Sequence, residues 1–268
     1  MKTIFDITSR EGQPVQPVLS MQIGEKNLAF AITGAKGQDL YRLCYFQREP
    51  EESGLPERIR EDYPELKENF YSIQLVFDYP NQALVPATEF RKEDAGLLLK
   101  ALYGETGTDS VITENLPEWQ LYNIYAVPSG VLQQLNKWFP AAVSRHRFSL
   151  ELRGLQVAEE AGVIRVDIRQ DDFTLVAGKA GRLLLARTFP YETPADVIYY
   201  MLSVCSQLEL GQQETVVELS GLLEKDSALY KELSQYFMHI RMREADWTDS
   251  GQPAHFFTTL NELARCAS

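Results

Sequence analysis

A pattern that opens at Leu19 returns at Gly162, and this repetition restricts the chain to folds that can be built twice. Apolar and small or polar residues alternate over 19–23, the chain turns at 24–27, and alternation resumes over 28–32 before a 34–37 turn and a third run at 40–46. Period-two alternation marks strands with one face in a core. The same order follows Gly162: a run at 163–168, a turn at 169–172, a run at 173–176, a turn at 178–181 and a run at 182–189. An offset of about 144 residues is far longer than a solenoid unit and marks a duplicated domain.

The second copy continues legibly. Thr193 and Pro194 read as an N-cap with proline at the first helical position, Val197, Met201, Val204, Cys205 and Leu208 recur at helical spacing, and Gly211 is expected to stop the helix. A strand at 215–219, a break at Ser220 and Gly221, and a helix over 226–237 with Leu229, Leu233 and Phe237 inward come next. A strand at 240–243 and a closing helix through Phe256, Leu260, Leu263 and Ala264 complete the copy. The first copy keeps the order, with a helix predicted over 56–70, a fourth strand at 71–77, a fifth at 121–127 and a helix through Leu132, Leu135 and Trp138. Between its fourth and fifth strands lies an insertion of about residues 80–117, containing a segment at 83–90, a helix over 92–103 and a segment at 110–113. Phe148, Leu152, Leu155 and Ala158 share a helical face expected to bridge the halves. The division is thus 1–155 and 156–268, both α/β with mixed sheets.

A chain of 268 residues can bury two cores of this size without disulfides or metal. The net charge of −12 argues against nucleic acid, which needs a basic face to displace counterions. Cys44, Cys205 and Cys266 lie far apart and read as buried free thiols of a reducing compartment. The first ten residues lack the apolar core of a signal peptide, and no run approaches 18 apolar residues, so a cytoplasmic protein without membrane insertion is expected.

Three strands, helix, strand, helix, strand, given twice, resembles the ribonuclease-H-like repeat of the actin, Hsp70 and hexokinase superfamily. Residues 188–202, with Tyr191, Asp196 and Tyr200, together with 207–210, Gly221 and 83–90, resemble a Bacteroidetes family of unknown function and actin-like ATPase fold. A more distant similarity is to the actin-like type IV pilus assembly ATPases.

The resemblance implies a phosphate-wrapping turn after the first strand of each half and a metal-organising Asp at each first strand's end. In the first half the motif falls on Gln22 and Gly24, so the glycine is kept and the acid has become an amide. In the second half Asp167 is kept, while Arg169 and Asp171 replace glycines. An acidic side chain a few Å from a triphosphate costs about 1–4 kcal/mol unless a cation intervenes. The adenosine segment retains Gly221 alone of its paired glycines. Any nucleotide would be held by Gly24 and Lys26 on phosphate, Asp167 and Asp171 on Mg²⁺, and Gly221 near the base.

The degraded loops predict a chain without cofactor, non-catalytic, that binds a protein partner through the insertion and its leucines Leu97, Leu98, Leu99 and Leu102. The alternatives are a divergent ATPase or sugar-kinase-like enzyme using ATP and Mg²⁺, or a small-molecule sensor. Simpler readings accompany each candidate. Gly24, Gly34, Gly178 and Gly181 serve as hairpin-turn residues, and Asp167, Asp171 and Asp172 as a solvated turn. His146, His239 and His255 form no ligand motif, Ser129 caps a helix, and Tyr191, Tyr199 and Tyr200 pack a core or line a partner groove.

Overall fold

The structure, a computed structural model, describes residues 1–10, 12, 14–48, 59–104, 107, 109–157, 162–247 and 251–267. Strands β1 (Lys2–Thr8), β2 (Val18–Gly24), β3 (Asn27–Thr33) and β4 (Leu40–Gln47) come first, then the short helix α1 (Ile59–Asp62) and β5 (Ser72–Asp78). β6 (Gln82–Pro86), α2 (Ala95–Tyr103), β7 (Asp109–Leu116) and β8 (Leu121–Pro128) follow, and α3 (Ser129–Trp138), β9 (Val143–His146) and α4 (Arg147–Arg153) close the first half. The second half is β10 (Val163–Ile168), β11 (Asp172–Lys179), β12 (Arg182–Pro190), α5 (Pro194–Gln207), β13 (Val216–Gly221), α6 (Ala228–Tyr236), β14 (His239–Met242) and α7 (Thr258–Arg265).

Met1–Arg153, Asp246–Gly251 and Thr259–Ser268 form one compact unit, and Gly154–Ala245 with Gln252–Thr258 the other. In the first unit Asn261, on α7, donates from Nδ2 to the Gly37 carbonyl at 3.0 Å, and Leu263 packs with Val76 and Leu150.

The duplication holds at the level of register. The first sheet runs β1-β4-β3-β2-β5-β9 and the second β12-β11-β10-β13-β14, so removing β1 leaves the same order and the same parallel and antiparallel pairings. Even the irregularities coincide, with a bulge at Ile32/Thr33 in one sheet and at Ala177/Gly178 in the other. Leu19, Met21 and Ile23 enter one core, Ile164, Val166 and Ile168 the other. Burying such side chains contributes about 1.5–3 kcal/mol each, which is why both central strands alternate so cleanly.

Several expectations are corrected. Residues 121–127 form a strand, β8, but it pairs antiparallel with β6 and β7 in a separate three-stranded sheet. The fifth strand of the first sheet is instead β9, whose four residues Val143, Ser144, Arg145 and His146 carry no apolar alternation and pair parallel with β5. The insertion therefore extends to Pro128. Of the helix expected over 56–70, only Ile59–Asp62 is α-helical: Pro64 supplies no N–H and biases Tyr63 to φ −122°, and a 3₁₀ turn follows. Residues 56–58 of that expectation, and Ala158 of the bridging face, lie outside the described residues, and α4 ends at Arg153. Gly178 belongs to β11, and the turn is made by Ala180 and Gly181, at φ +51° and +72°. α5 ends before Gly211, with Glu209 at φ +52°. Cys44 and Cys205 are buried, whereas Cys266 is exposed. No helix among the described residues is long and apolar enough to cross a membrane.

Candidate functional site

The β2–β3 hairpin is closed by its own polar groups. Gln22, 5% exposed, donates from Nε2 to Asn27 Oδ1 at 3.3 Å and to Asp78 Oδ2 at 3.1 Å. The buried guanidinium of Arg147 donates to the same Asp78 oxygen at 2.9 Å. A carboxylate at position 22 would face the Asp78 carboxylate and repel it, whereas an amide donates to it. Arg48 ties down the turn, its Nη1 donating to Gly24 O at 2.6 Å and its backbone N to Lys26 O at 2.8 Å. A side chain at Gly24 would meet Asp78 O at 3.0 Å and Asn27 Oδ1 at 3.1 Å, so close packing within the unit by itself favours glycine there.

The β10–β11 hairpin is closed differently. Asp167 accepts from Ser220 Oγ at 2.9 Å, across a register pair of β10 and β13. Arg169, 8% exposed, folds back on its own hairpin, donating from Nε to Asp172 Oδ1 at 2.5 Å and from Nη1 to Thr174 Oγ1 at 3.0 Å. Tyr191 holds the turn from outside, with O–H to Arg169 O at 2.5 Å and N–H to Asp171 O at 3.1 Å. Gly221 pairs in register with Ile168 at φ +87°.

Of the residues singled out from sequence, Gly24 and Lys26 thus share the first hairpin, and Asp167, Asp171 and Gly221 gather at one end of the second sheet, with Lys26 and Asp171 exposed. Among the described residues, no three His, Cys, Asp or Glu side chains form a metal-binding group. Tyr191 and Tyr200 pack beside Phe173 and Phe189, and Tyr199 stays 67% exposed.

Sequence reasoning missed a second polar cluster, where β7 and β8 meet β9 and α4. Glu114 Oε1 accepts from Tyr125 O–H at 2.6 Å and from His146 N at 2.5 Å, and Asn123 Nδ2 donates to Ser149 Oγ at 2.9 Å. The available signal was polar Asn123 and Tyr125 alternating with apolar residues in a strand whose partners were misassigned. His146 is buried, with Nδ1 accepting from Phe148 N at 3.2 Å and Nε2 lying 3.1 Å from Tyr79 O, an arrangement that calls for the neutral Nε2–H tautomer. Burial lowers its pKa to about 4, Asp78 opposing and Arg147 adding to the shift, while burial raises the carboxyl of Glu114.

Because the unfolded histidine titrates near 6.5, the unfolded chain binds the extra proton between about pH 6.5 and 4, and stability falls as pH drops through that window. The loss at acid pH is about 3 kcal/mol. Glu114 acts oppositely, since a raised carboxyl pKa favours the fold at low pH and loses that contribution as pH rises. Urea unfolding of wild type and His146→Gln at several pH values isolates the histidine. The wild type should lose more stability than the variant between pH 6.5 and 4, and parallel profiles would refute the assignment.

The insertion buries one side of α2 and exposes the other. Ala95 and Leu99 pack on Ile124 and Ala126, while Leu97 and Leu102 are 66% and 61% exposed and Leu98 and Tyr103 are partly exposed beside them.

This architecture matches solved proteins. A Bacteroides thetaiotaomicron protein with actin-like ATPase fold and unknown function aligns with TM-score 0.72 and 19% identity, over 85% of this chain and 90% of that one. The PilM–PilN type IV pilus biogenesis complex contains a chain aligning with TM-score 0.57 and 14% identity, over 94% and 98% of the two chains. The fold is the actin-like ATPase fold, with two ribonuclease-H-like repeats. No curated protein matches the sequence. Residues 12–240 match the family DUF3822, described as a protein of unknown function, and the chain belongs to that family.

Proposed function

We propose that this chain is a non-catalytic actin-like scaffold that binds a protein partner through the outer face of α2. The observation that carries the reading is that face, where Leu97, Leu98 and Leu102 present apolar surface while Ala95 and Leu99 already serve the core. Apolar side chains gathered on one exposed helix face mark interaction sites in folded proteins. PilM, of similar fold, stands in a complex with PilN, which is in keeping with a binding role for such a scaffold.

The closed hairpins support the non-catalytic half of the proposal. Magnesium nucleotide fits them poorly: the metal-organising position of the first repeat is an amide already donating to Asp78, and that of the second is bound to Ser220 beside a turn occupied by Arg169. Unpaired buried thiols at Cys44 and Cys205 accord with a cytoplasmic setting.

The test is the double substitution Leu97→Glu with Leu102→Glu, which changes only outward side chains. Partners co-purified and photo-crosslinked from α2 of the wild type should be lost, each leucine contributing about 1.5–3 kcal/mol if it becomes buried in a complex. An unchanged partner set would sink the proposal. Titration calorimetry with Mg²⁺ and ATP should register no binding; micromolar affinity abolished by Asp167→Ala would replace this reading with that of an ATPase or kinase-like enzyme.

A further inference from the structure

The two sheets, equivalent through five strands, differ on one side. In the first, β1 covers β4 in antiparallel pairing, with Thr3 opposite Phe46, Phe5 opposite Tyr45, Asp6 opposite Cys44, Ile7 opposite Leu43 and Thr8 opposite Arg42. In the second, β12 is the outermost strand.

Register makes the comparison residue by residue. Each sheet pairs its second and third strands outward from the same hairpin to the same bulge, so Phe46, Tyr45, Cys44, Leu43 and Arg42 correspond to Phe189, Thr188, Arg187, Ala186 and Leu185. β12 runs for nine residues, and Leu183, Leu184, Leu185 and Ala186 at its middle are only partly buried. An edge of this length with an apolar middle presents a row of backbone donors and acceptors that templates another strand.

The covered sheet also shows what chemistry a covering strand brings. Asp6 of β1 forms an ion pair with Arg42, Phe5 lies edge-on to Tyr45 at 6.3 Å, and the outward face of β1 is polar. On β12 the position matching Cys44, which lies opposite Asp6 in register, is Arg187, while the position matching Arg42 is Leu185; Arg187 is exposed, lies over the Phe189 ring at 5.4 Å and has no ion pair among the described residues. A strand docked on β12 as β1 docks on β4 would set its acidic residue directly opposite this arginine.

We propose that the outer edge of β12 is a docking site for an extended segment of a partner protein. The segment adds as a sixth, antiparallel strand, with a carboxylate opposite Arg187 and apolar side chains at alternate positions. A second copy of this chain is the poorer occupant. Pairing β12 with itself brings Arg182 and Arg187 of one chain to the same edge as those of the other, and each chain carries a net charge of −12. The site lies in the second unit and stands apart from the α2 reading.

The probe is a labelled synthetic peptide with the sequence of residues 1–10, titrated into the full chain by fluorescence anisotropy, with hydrogen exchange followed in parallel. Saturable binding with slowed exchange along β12 is expected. Arg187→Glu should weaken it about tenfold, and a peptide carrying Asp6→Lys should regain affinity for that variant. Leu97→Glu with Leu102→Glu should leave peptide binding unchanged, which separates this site from α2. Absence of binding, slowed exchange confined to β4, or peptide-independent self-association abolished by Arg187→Glu would each overturn the proposal.

Discussion

Gly221→Ala is expected to lower the melting temperature by about 10 °C or more. At φ +87° any side chain is strained, and the added Cβ would overlap the Ile168 carbonyl oxygen while lying 2.7 Å from Ile168 N and 2.9 Å from its carbonyl carbon. Those atoms are the backbone of β10, the middle strand of its sheet, and Leu222 N already donates to Ile168 O at 2.7 Å. Relief would require separating β10 from β13 at the end where Asp167 meets Ser220. Backbone strain plus lost pairing amounts to about 4 kcal/mol, and for a unit of this size each kcal/mol moves the midpoint by roughly 4–8 °C. Gly181→Ala is the control. Its φ of +72° is also left-handed, but nothing lies within 4 Å of the added carbon, so a loss near 1 kcal/mol is expected. Calorimetric melting of both variants decides the matter; equal shifts would mean that the approach of Ile168 is unimportant. Gly221 is thereby explained by strand packing, with no ligand needed.

Arg147→Met should destabilise the first unit by about 3–5 kcal/mol, because it removes the cation from a buried pair. The Arg147 side chain is 2% exposed and that of Asp78 12%, at 2.9 Å. Asp78 also receives the amide of Gln22, so the loss reaches the β2–β3 hairpin. Combining Arg147→Met with Asp78→Asn removes both charges and should recover part of the loss, since the cost lies in a part-buried carboxylate deprived of Arg147 more than in the missing attraction. Urea midpoints of the two single variants and the double form the cycle. Strictly additive effects would show that the pair is not coupled.

These polar closures explain why the candidate site was only half legible. The resemblance puts Gln22 where an acid is expected and Arg169 where a glycine is expected, and in the structure each side chain hydrogen-bonds within its own unit. What they contact could not be read. Gln22 and Asp78 are 56 positions apart, Asp78 and Arg147 69, and no local pattern links them. Arg169 differs, because its partners Asp172 and Thr174 lie three and five residues on in the same hairpin. Even there, the sequence shows two opposite charges near a turn and leaves their pairing open.

The fold divides along the same line. Alternation over 19–23, 28–32 and 163–168 determined strands, the faces that carry their large apolar side chains and the duplication, because successive residues of a strand point to opposite faces and that period is written locally. Thr193 as N-cap and Pro194 at the first helical position likewise determined where α5 begins, since both signals sit at the helix start itself. Tertiary structure alone decided that β8 leaves the main sheet and that the four polar-rich residues of β9 enter it, because alternation says which side of a strand is buried and nothing about which strand lies beside it. It alone placed β1 over β4 and left β12 at the edge, a difference between two equivalent strands that depends on backbone groups common to every sequence.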